Sequence, residues 1–349
     1  MIAVVFSCFN NYDLMEYTIK NYYPRTDNIF LFVDDGSEED EIVKGRELAE
    51  SLSPNSYLIK NQGKGLQSAV SSAFDFLSKE IEWIFFPQQD VYPNGENFFE
   101  DLKVKLQVLS ERQYLGQKVG AMGFEVHDAD GTASLNKENN PGSLGVLFLS
   151  DKRKLFEMTS LLKSAKYYLL KCLGPILQGR FRYARFRNSR RWFSEIFFKG
   201  FREVETNYKS DFAIELPVWV AVCLNRSVWE SAIEVDQNFI FHMWFNDVAM
   251  QMLSQNIPIM VTRDLSVVNH QSLKTLFGFK MSSASAGRDE DNRHVEEYGP
   301  HLVFFKNKWG FDYENVRETM DLEQYSGTLV ERFYYHDPRK PIKLVKEEF

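Results

Sequence analysis

The chain has 349 residues, 26% of them charged and 15% aromatic, with a formal charge of −8. That length is too long for one minimal core and too short for two full enzymes, and predicts one large domain with an insertion or tail. The acidic balance excludes a surface that binds polyanions everywhere. Cys8, Cys172 and Cys223 are too few and too far apart for a disulfide framework or a metal-ligand spacing, which points to a reducing cytosol. The N-terminus is apolar at once and has no basic leader, so a cytoplasmic protein is expected. The best apolar run, residues 216–224, contains Pro217 and is about half of the roughly 20 residues a membrane span needs.

In chain order, residues 2–7 read as an apolar strand, followed by a polar loop with Asn10 and Asn11. Asp13 opens a helix that Pro24 stops. A second strand, 28–33, ends in Asp34-Asp35-Gly36-Ser37, and an acidic helix follows over 38–52. A short third strand at 57–59 leads to the loop Asn61-Gln62-Gly63-Lys64-Gly65 and a helix over 66–77. The fourth strand, 83–86, runs into Gln88-Gln89-Asp90 before Pro93 breaks it. Then come a helix at 98–110, a strand at 119–126, a polar loop at 127–143 and a strand-like run at 144–149. Further on, a strand at 218–224, helices at 227–232 and 245–255, and a strand at 258–268 precede His270 and a partly helical tail. Continuous apolar strands alternating with helices predict an α/β fold whose mostly parallel sheet is covered on both faces.

In such a sheet the C-terminal strand ends share one edge, and ligands bind there. Asn10 and Asn11, Asp34 and Asp35, residues 61–65 and residues 88–90 all follow strands and converge on it. In order and spacing, Val4-Val5-Phe6 to Tyr12, Phe32-Val33-Asp34-Asp35-Gly36-Ser37, residues 61–65 and residues 85–91 resemble the nucleotide-sugar half of family 2-like glycosyltransferases of the GT-A fold. Residues 235–247 resemble the acceptor side of that family. The resemblance covers about residues 2–127 and 215–272.

The resemblance implies a Rossmann-like nucleotide site built from Asn10, Asp34, Asp35, Asn61, Gly63, Lys64 and Gln89. It implies a divalent metal, Mn2+ or Mg2+, at Asp90, with His270 as a second ligand. The chain departs from the family's Asp-X-Asp pattern, because Gln88 stands where the first acid is expected. Asp247 corresponds to the catalytic base, with Asn246 and Ala249 at positions that are commonly acidic. Each residue also has an ordinary reading, as a turn acid, a helix cap or a flexible loop. Asp236 reads as a turn acid.

Residues 166–202 are set apart. They hold ten basic residues and one acid, Glu195, for +9, so the remainder of the chain carries −17. Ten aromatic residues are interleaved. Three readings stay open: an anionic membrane surface, a groove for a polyanionic acceptor such as acidic polysaccharide or nucleic acid, and a helical hairpin packed on the core.

The division expected is a nucleotide-sugar-binding half at 1–150, a basic aromatic helical insertion at 151–212, an acceptor-binding part at 213–288 and a C-terminal extension at 289–349. The function expected is inverting transfer of a sugar from a nucleotide diphosphate sugar to a hydroxyl of a lipid-linked or cell-surface glycan, in polysaccharide biosynthesis at the inner face of the membrane. The alternatives are transfer to a polyanionic acceptor and a non-catalytic module that binds nucleic acid or membrane. A nucleotidyltransferase is disfavoured, because the loop after the first strand has neither glycine nor a basic residue.

Overall fold

The structure is a computed structural model. It describes residues 2–129 except 25, 26 and 115, a strand at 212–214, residues 219–270, short pieces between 273 and 287, and 298–334 except 314, 315 and 322. The expected strand at 144–149 and the basic aromatic insertion lie outside the described residues.

The first half alternates strand and helix: β1 (Ala3–Cys8), α1 (Tyr12–Tyr22), β2 (Ile29–Asp34), α2 (Glu39–Leu52), β3 (Ser56–Lys60), α3 (Gly65–Phe76) and β4 (Trp83–Pro87). Then follow β5 (Val91–Pro93), α4 (Phe98–Glu111), β6 (Ala121–Asp128), β7 (Phe212–Ile214), β8 (Ala221–Asn225), α5 (Arg226–Ala232), α6 (Trp244–Ser254) and β9 (Ile259–Asn269). A two-residue pair, β10 (Lys280–Met281) and β11 (Ala286–Gly287), precedes α7 (Tyr298–Trp309), α8 (Val316–Thr319) and α9 (Leu329–Tyr334).

Nine strands form one sheet in the order β3-β2-β1-β4-β8-β6-β9-β5, with β7 on β9. Strands β1 to β4 pair in parallel. β8 is antiparallel to both β4 and β6, which restores the original direction in β6 and in its parallel partner β9. β5 and β7 are antiparallel to β9. Six strands therefore share one direction, as expected, while the reversed β8 and the short β5 were not foreseen.

Alternation along each strand feeds two cores. On one face Val4, Phe6, Phe30, Phe32 and Phe85 pack with helices α1, α2 and α4. On the other, Ala3, Val5, Leu31, Val33, Ile84 and Phe86 pack with α3, α5 and α6. The described part of the tail, within 298–334, joins this second core through Phe305, Phe311, Tyr313 and Leu329.

Candidate active site

The chain order reverses between β1 and β4: β2 and β3 extend the sheet one way, and β4 and β8 the other. A reversal opens a crevice outside the strand ends. Gln89 spans it, its Nε2 donating to the Ser7 carbonyl at 2.6 Å. Asn10 sits beside it in the left-handed region, with φ 47°. Its side-chain oxygen accepts from the Glu38 amide at 2.8 Å, and its own amide donates to Ser37 Oγ at 2.8 Å.

The two acids after β2 differ in what they hold. Asp34 is buried. Its Oδ1 accepts from the Gly36 and Ser37 amides at 3.0 and 2.9 Å, and its Oδ2 from the Tyr12 hydroxyl at 2.6 Å. Burial, the neighbouring Cys8 and then Asp34 push the Tyr12 phenol far up, so it stays a donor. The Asp34 carboxylate is thus spent on shaping its own turn. Asp35 is half-buried and accepts from Asn61 Nδ2 at 2.8 Å and from the Gly65 amide at 3.1 Å. The other end of the Asn61 amide is fixed by the hydroxyls of Ser68 and Ser72, at 2.8 and 3.0 Å.

The glycines of this loop are required by space. A Cβ on Gly63 would stand 2.4 Å from Ser68 Oγ. One on Gly65, whose φ is +77°, would meet the Ile240 carbonyl oxygen at 2.3 Å. The Leu66 amide donates to that carbonyl at 2.9 Å. The exposed Lys64 gives its amide to Gln237 Oε1 at 3.3 Å.

Asp90 lies just past β4 and is fully buried. The His270 amide donates to the Asp90 carbonyl oxygen at 2.9 Å, which places the residue after β9 against the residue after β4. The two residues expected to hold a metal are therefore joined through their backbones. His270 also faces the rings of Tyr22 and Tyr92. Among the described residues, no group of three or more His, Cys, Asp or Glu could hold a metal ion by itself.

Asp247 is in the first turn of α6 and is 0% exposed. The residue before that helix, Met243, is left-handed with φ 58°. A non-glycine residue there costs about 1–2 kcal/mol, a strain that clusters at functional sites. Four side chains converge on the Asp247 carboxylate. Gln67 and Gln251 donate to Oδ2 at 3.0 and 2.9 Å, Trp309 Nε1 donates to Oδ1 at 2.9 Å, and Lys308 Nζ lies 2.9 and 3.0 Å from the two oxygens. Gln67 is held at its other end by the Asp236 amide, at 2.8 Å, and Gln251 by the Glu234 amide, at 2.7 Å. Lys308 also binds Asp236 at 3.0 Å. Burial works against the Lys308 charge, but the hydrogen bonds and charges of Asp247 and Asp236 outweigh it and raise its pKa. For Asp236 burial is again outweighed, by the Asn238 amide and Lys308, and its carboxyl is lowered. Asp236 also accepts from the Asn238 amide at 3.0 Å, the turn geometry expected of it.

Gln67, Gln251, Lys308 and Trp309 are partners that sequence reading missed. One signal pointed to them: a lone acid inside the apolar run Trp244-Phe245-Asn246-Asp247-Val248-Ala249-Met250 must find buried donors.

The first turn of α3 joins the two halves. Gly65 donates to Asp35 and Gln67 to Asp247, so two donor residues about 3 Å apart along the helix axis reach the two carboxylates.

No protein-family model matches the chain, and no curated protein matches it. Among solved structures it is similar to a mannosyltransferase from Pyrobaculum calidifontis in complex with GDP-Man and Mn2+, at 12% identity and a TM-score of 0.41, over 76% of this chain and 56% of that one. It is also similar to GalNAc-T7 with UDP, GalNAc and Mn2+, at 8% identity and 0.47, over 89% and 48%. A third is S. aureus TarS, at 12% and 0.41, over 88% and 73%. The chain spans about half the length of the first structures it matches. No helix among the described residues is long and apolar enough to cross a membrane.

Proposed function

We propose that the protein is a nucleotide-sugar-dependent glycosyltransferase of GT-A type. One observation carries the reading: the first turn of α3 donates a hydrogen bond to Asp35 and another to Asp247, beside a crevice at a strand-order reversal. Asp35, positioned by Asn61 and Gly65, takes a hydrogen bond from the nucleoside. Asn10, Gly63, Lys64 and Gln89 line the approach, and Asp34 supports the turn that presents Asp35.

The donor set suits a hard divalent cation, which binds through one or two carboxylates and completes its shell with phosphate oxygens and water. Asp90 and His270 would hold it. When bound, it neutralises the departing nucleoside diphosphate.

The chain's own contribution is the handling of the acceptor. Asp247 takes the proton from an acceptor hydroxyl. The freed oxygen attacks the anomeric carbon, and the bond from that carbon to the diphosphate breaks with its electron pair leaving on the nucleoside diphosphate. A single displacement of this kind inverts the anomeric centre. Gln67 and Gln251, locked by backbone groups, keep the carboxylate aimed. The acceptor is a glycan or lipid-linked glycan, and residues 166–202 bring the enzyme to an anionic membrane surface. This last assignment rests on the composition of that segment.

The test is release of nucleoside diphosphate from a panel of nucleotide sugars with Mn2+, repeated in EDTA. Release from one member of the panel, reduced at least tenfold by EDTA, is expected. Turnover unchanged in EDTA removes the metal from the scheme, and no release from any donor removes the reading.

A further inference from the structure

Asp247 poses a problem for its own proposed role. A base must offer a lone pair to the acceptor, yet this carboxylate is 0% exposed and ringed by four donors. Three of those donors are fixed. Gln67 and Gln251 are buried, and their amides are held at the far end by backbone groups. The Trp309 indole stands at the end of α7, a helix anchored in the core by the fully buried Phe305.

Lys308 is different. Its side chain is 28% exposed. It is long and flexible, and its ammonium spans from Asp247 to Asp236 across the ring of Phe239, 5.5 Å away. It is the one donor that can leave by side-chain rotation alone.

We propose that Lys308 is a gate on the acceptor subsite. Its ammonium occupies the position that an acceptor hydroxyl takes between Asp236 and Asp247. Acceptor binding swings it into solvent and exposes the base, so Asp247 is active only when a hydroxyl-bearing acceptor is present. Without one, the closed gate keeps water from being activated against the donor. This rests on the glycosyltransferase reading above. It adds a specificity-determining role for a residue outside the motifs, and one for Asp236 beyond its turn.

The experiment is carboxylate labelling of the full chain with a water-soluble carbodiimide and glycine ethyl ester, read by peptide mass spectrometry. In the wild type, Asp247 should label at least tenfold more slowly than the exposed Asp75. Lys308→Met should label Asp247 at least tenfold faster than wild type does, whereas Lys308→Arg keeps it protected. Hydrolysis of UDP-glucose or GDP-mannose with Mn2+ should rise at least threefold in Lys308→Met. Where Lys308→Met fails to fold, Asp236→Asn removes the gate's other anchor and should raise labelling by a smaller factor. Equal labelling of Asp247 in wild type and in the variants overturns the gate. Labelling as expected, with neither donor bound nor hydrolysed by any form, upholds the closed geometry and sinks the transferase reading instead.

Discussion

Asp247→Asn is expected to reduce sugar transfer by at least a hundredfold while leaving nucleotide affinity within a factor of about three. A positioned base contributes roughly 10²–10⁴ to rate, and an amide cannot accept the proton. The nucleotide side keeps its anchors, because Asn61 and Gly65 hold Asp35. The variant also carries a folding cost. All four donors around the carboxylate point hydrogens at it, so an amide nitrogen there faces at least one donor head-on. A buried group left without its partner costs about 1–3 kcal/mol. Kinetics at saturating donor, with circular dichroism and nucleotide titration on the same sample, separate the two effects. Full activity in a folded variant would remove Asp247 from the chemistry.

Arg226→Ala should cost about 3–5 kcal/mol of stability, because several buried carbonyls lose a donor at about 1–3 kcal/mol each before relaxation. The Arg226 guanidinium is buried where α3 ends. It donates to the carbonyls of Ile81, Leu77 and Ser78 at 2.9, 3.2 and 3.0 Å, and to that of Phe74. It also lies over the Phe74 ring, 4.9 Å from its centre. A cation at a helix C-terminus meets the negative end of the dipole and the carbonyls no helical amide can reach. Alanine takes the guanidinium donor from the carbonyls of Phe74, Leu77 and Ile81 and opens a cavity between α3 and α5, whereas the Ser78 carbonyl keeps the Ile81 amide at 2.9 Å. Against a total stability of about 5–15 kcal/mol, that is a large fraction. Chemical denaturation with unchanged slope measures it, and a loss under about 1 kcal/mol would show that water replaces the guanidinium without strain.

The sequence carried much of the fold in plain view. Strands such as Val4-Val5-Phe6 and Ile84-Phe85-Phe86 are apolar on both faces because both faces are covered, and the helices between them followed from spacing and breakers. The sense of β8 was not legible, since Ala221-Val222-Cys223-Leu224 is equally apolar in either direction. β5 was hidden because Val91-Tyr92-Pro93 follows a turn and ends in a breaker. For the site, residues at strand ends were readable because the sheet gathers them on one edge. Asp34 and Asp35 look alike in the motif. Only the folded turn shows that Asp34 is tied to Gly36, Ser37 and Tyr12, while Asp35 faces Asn61 and Gly65. Gln251 is an i,i+4 neighbour of Asp247 on one helix, but the ring of donors also joins positions 67, 308 and 309, separations no local pattern reports.

The crevice beside Asp35 should bind a nucleoside diphosphate together with a divalent metal. Isothermal titration of the full chain with UDP and with GDP, each in Mn2+ and in EDTA, measures this. One-to-one binding of one of them in Mn2+ is expected, weakened at least tenfold in EDTA and at least tenfold by Asp35→Ala. Absence of binding by either nucleotide in the folded wild type, or binding that Asp35→Ala leaves intact, would contradict it.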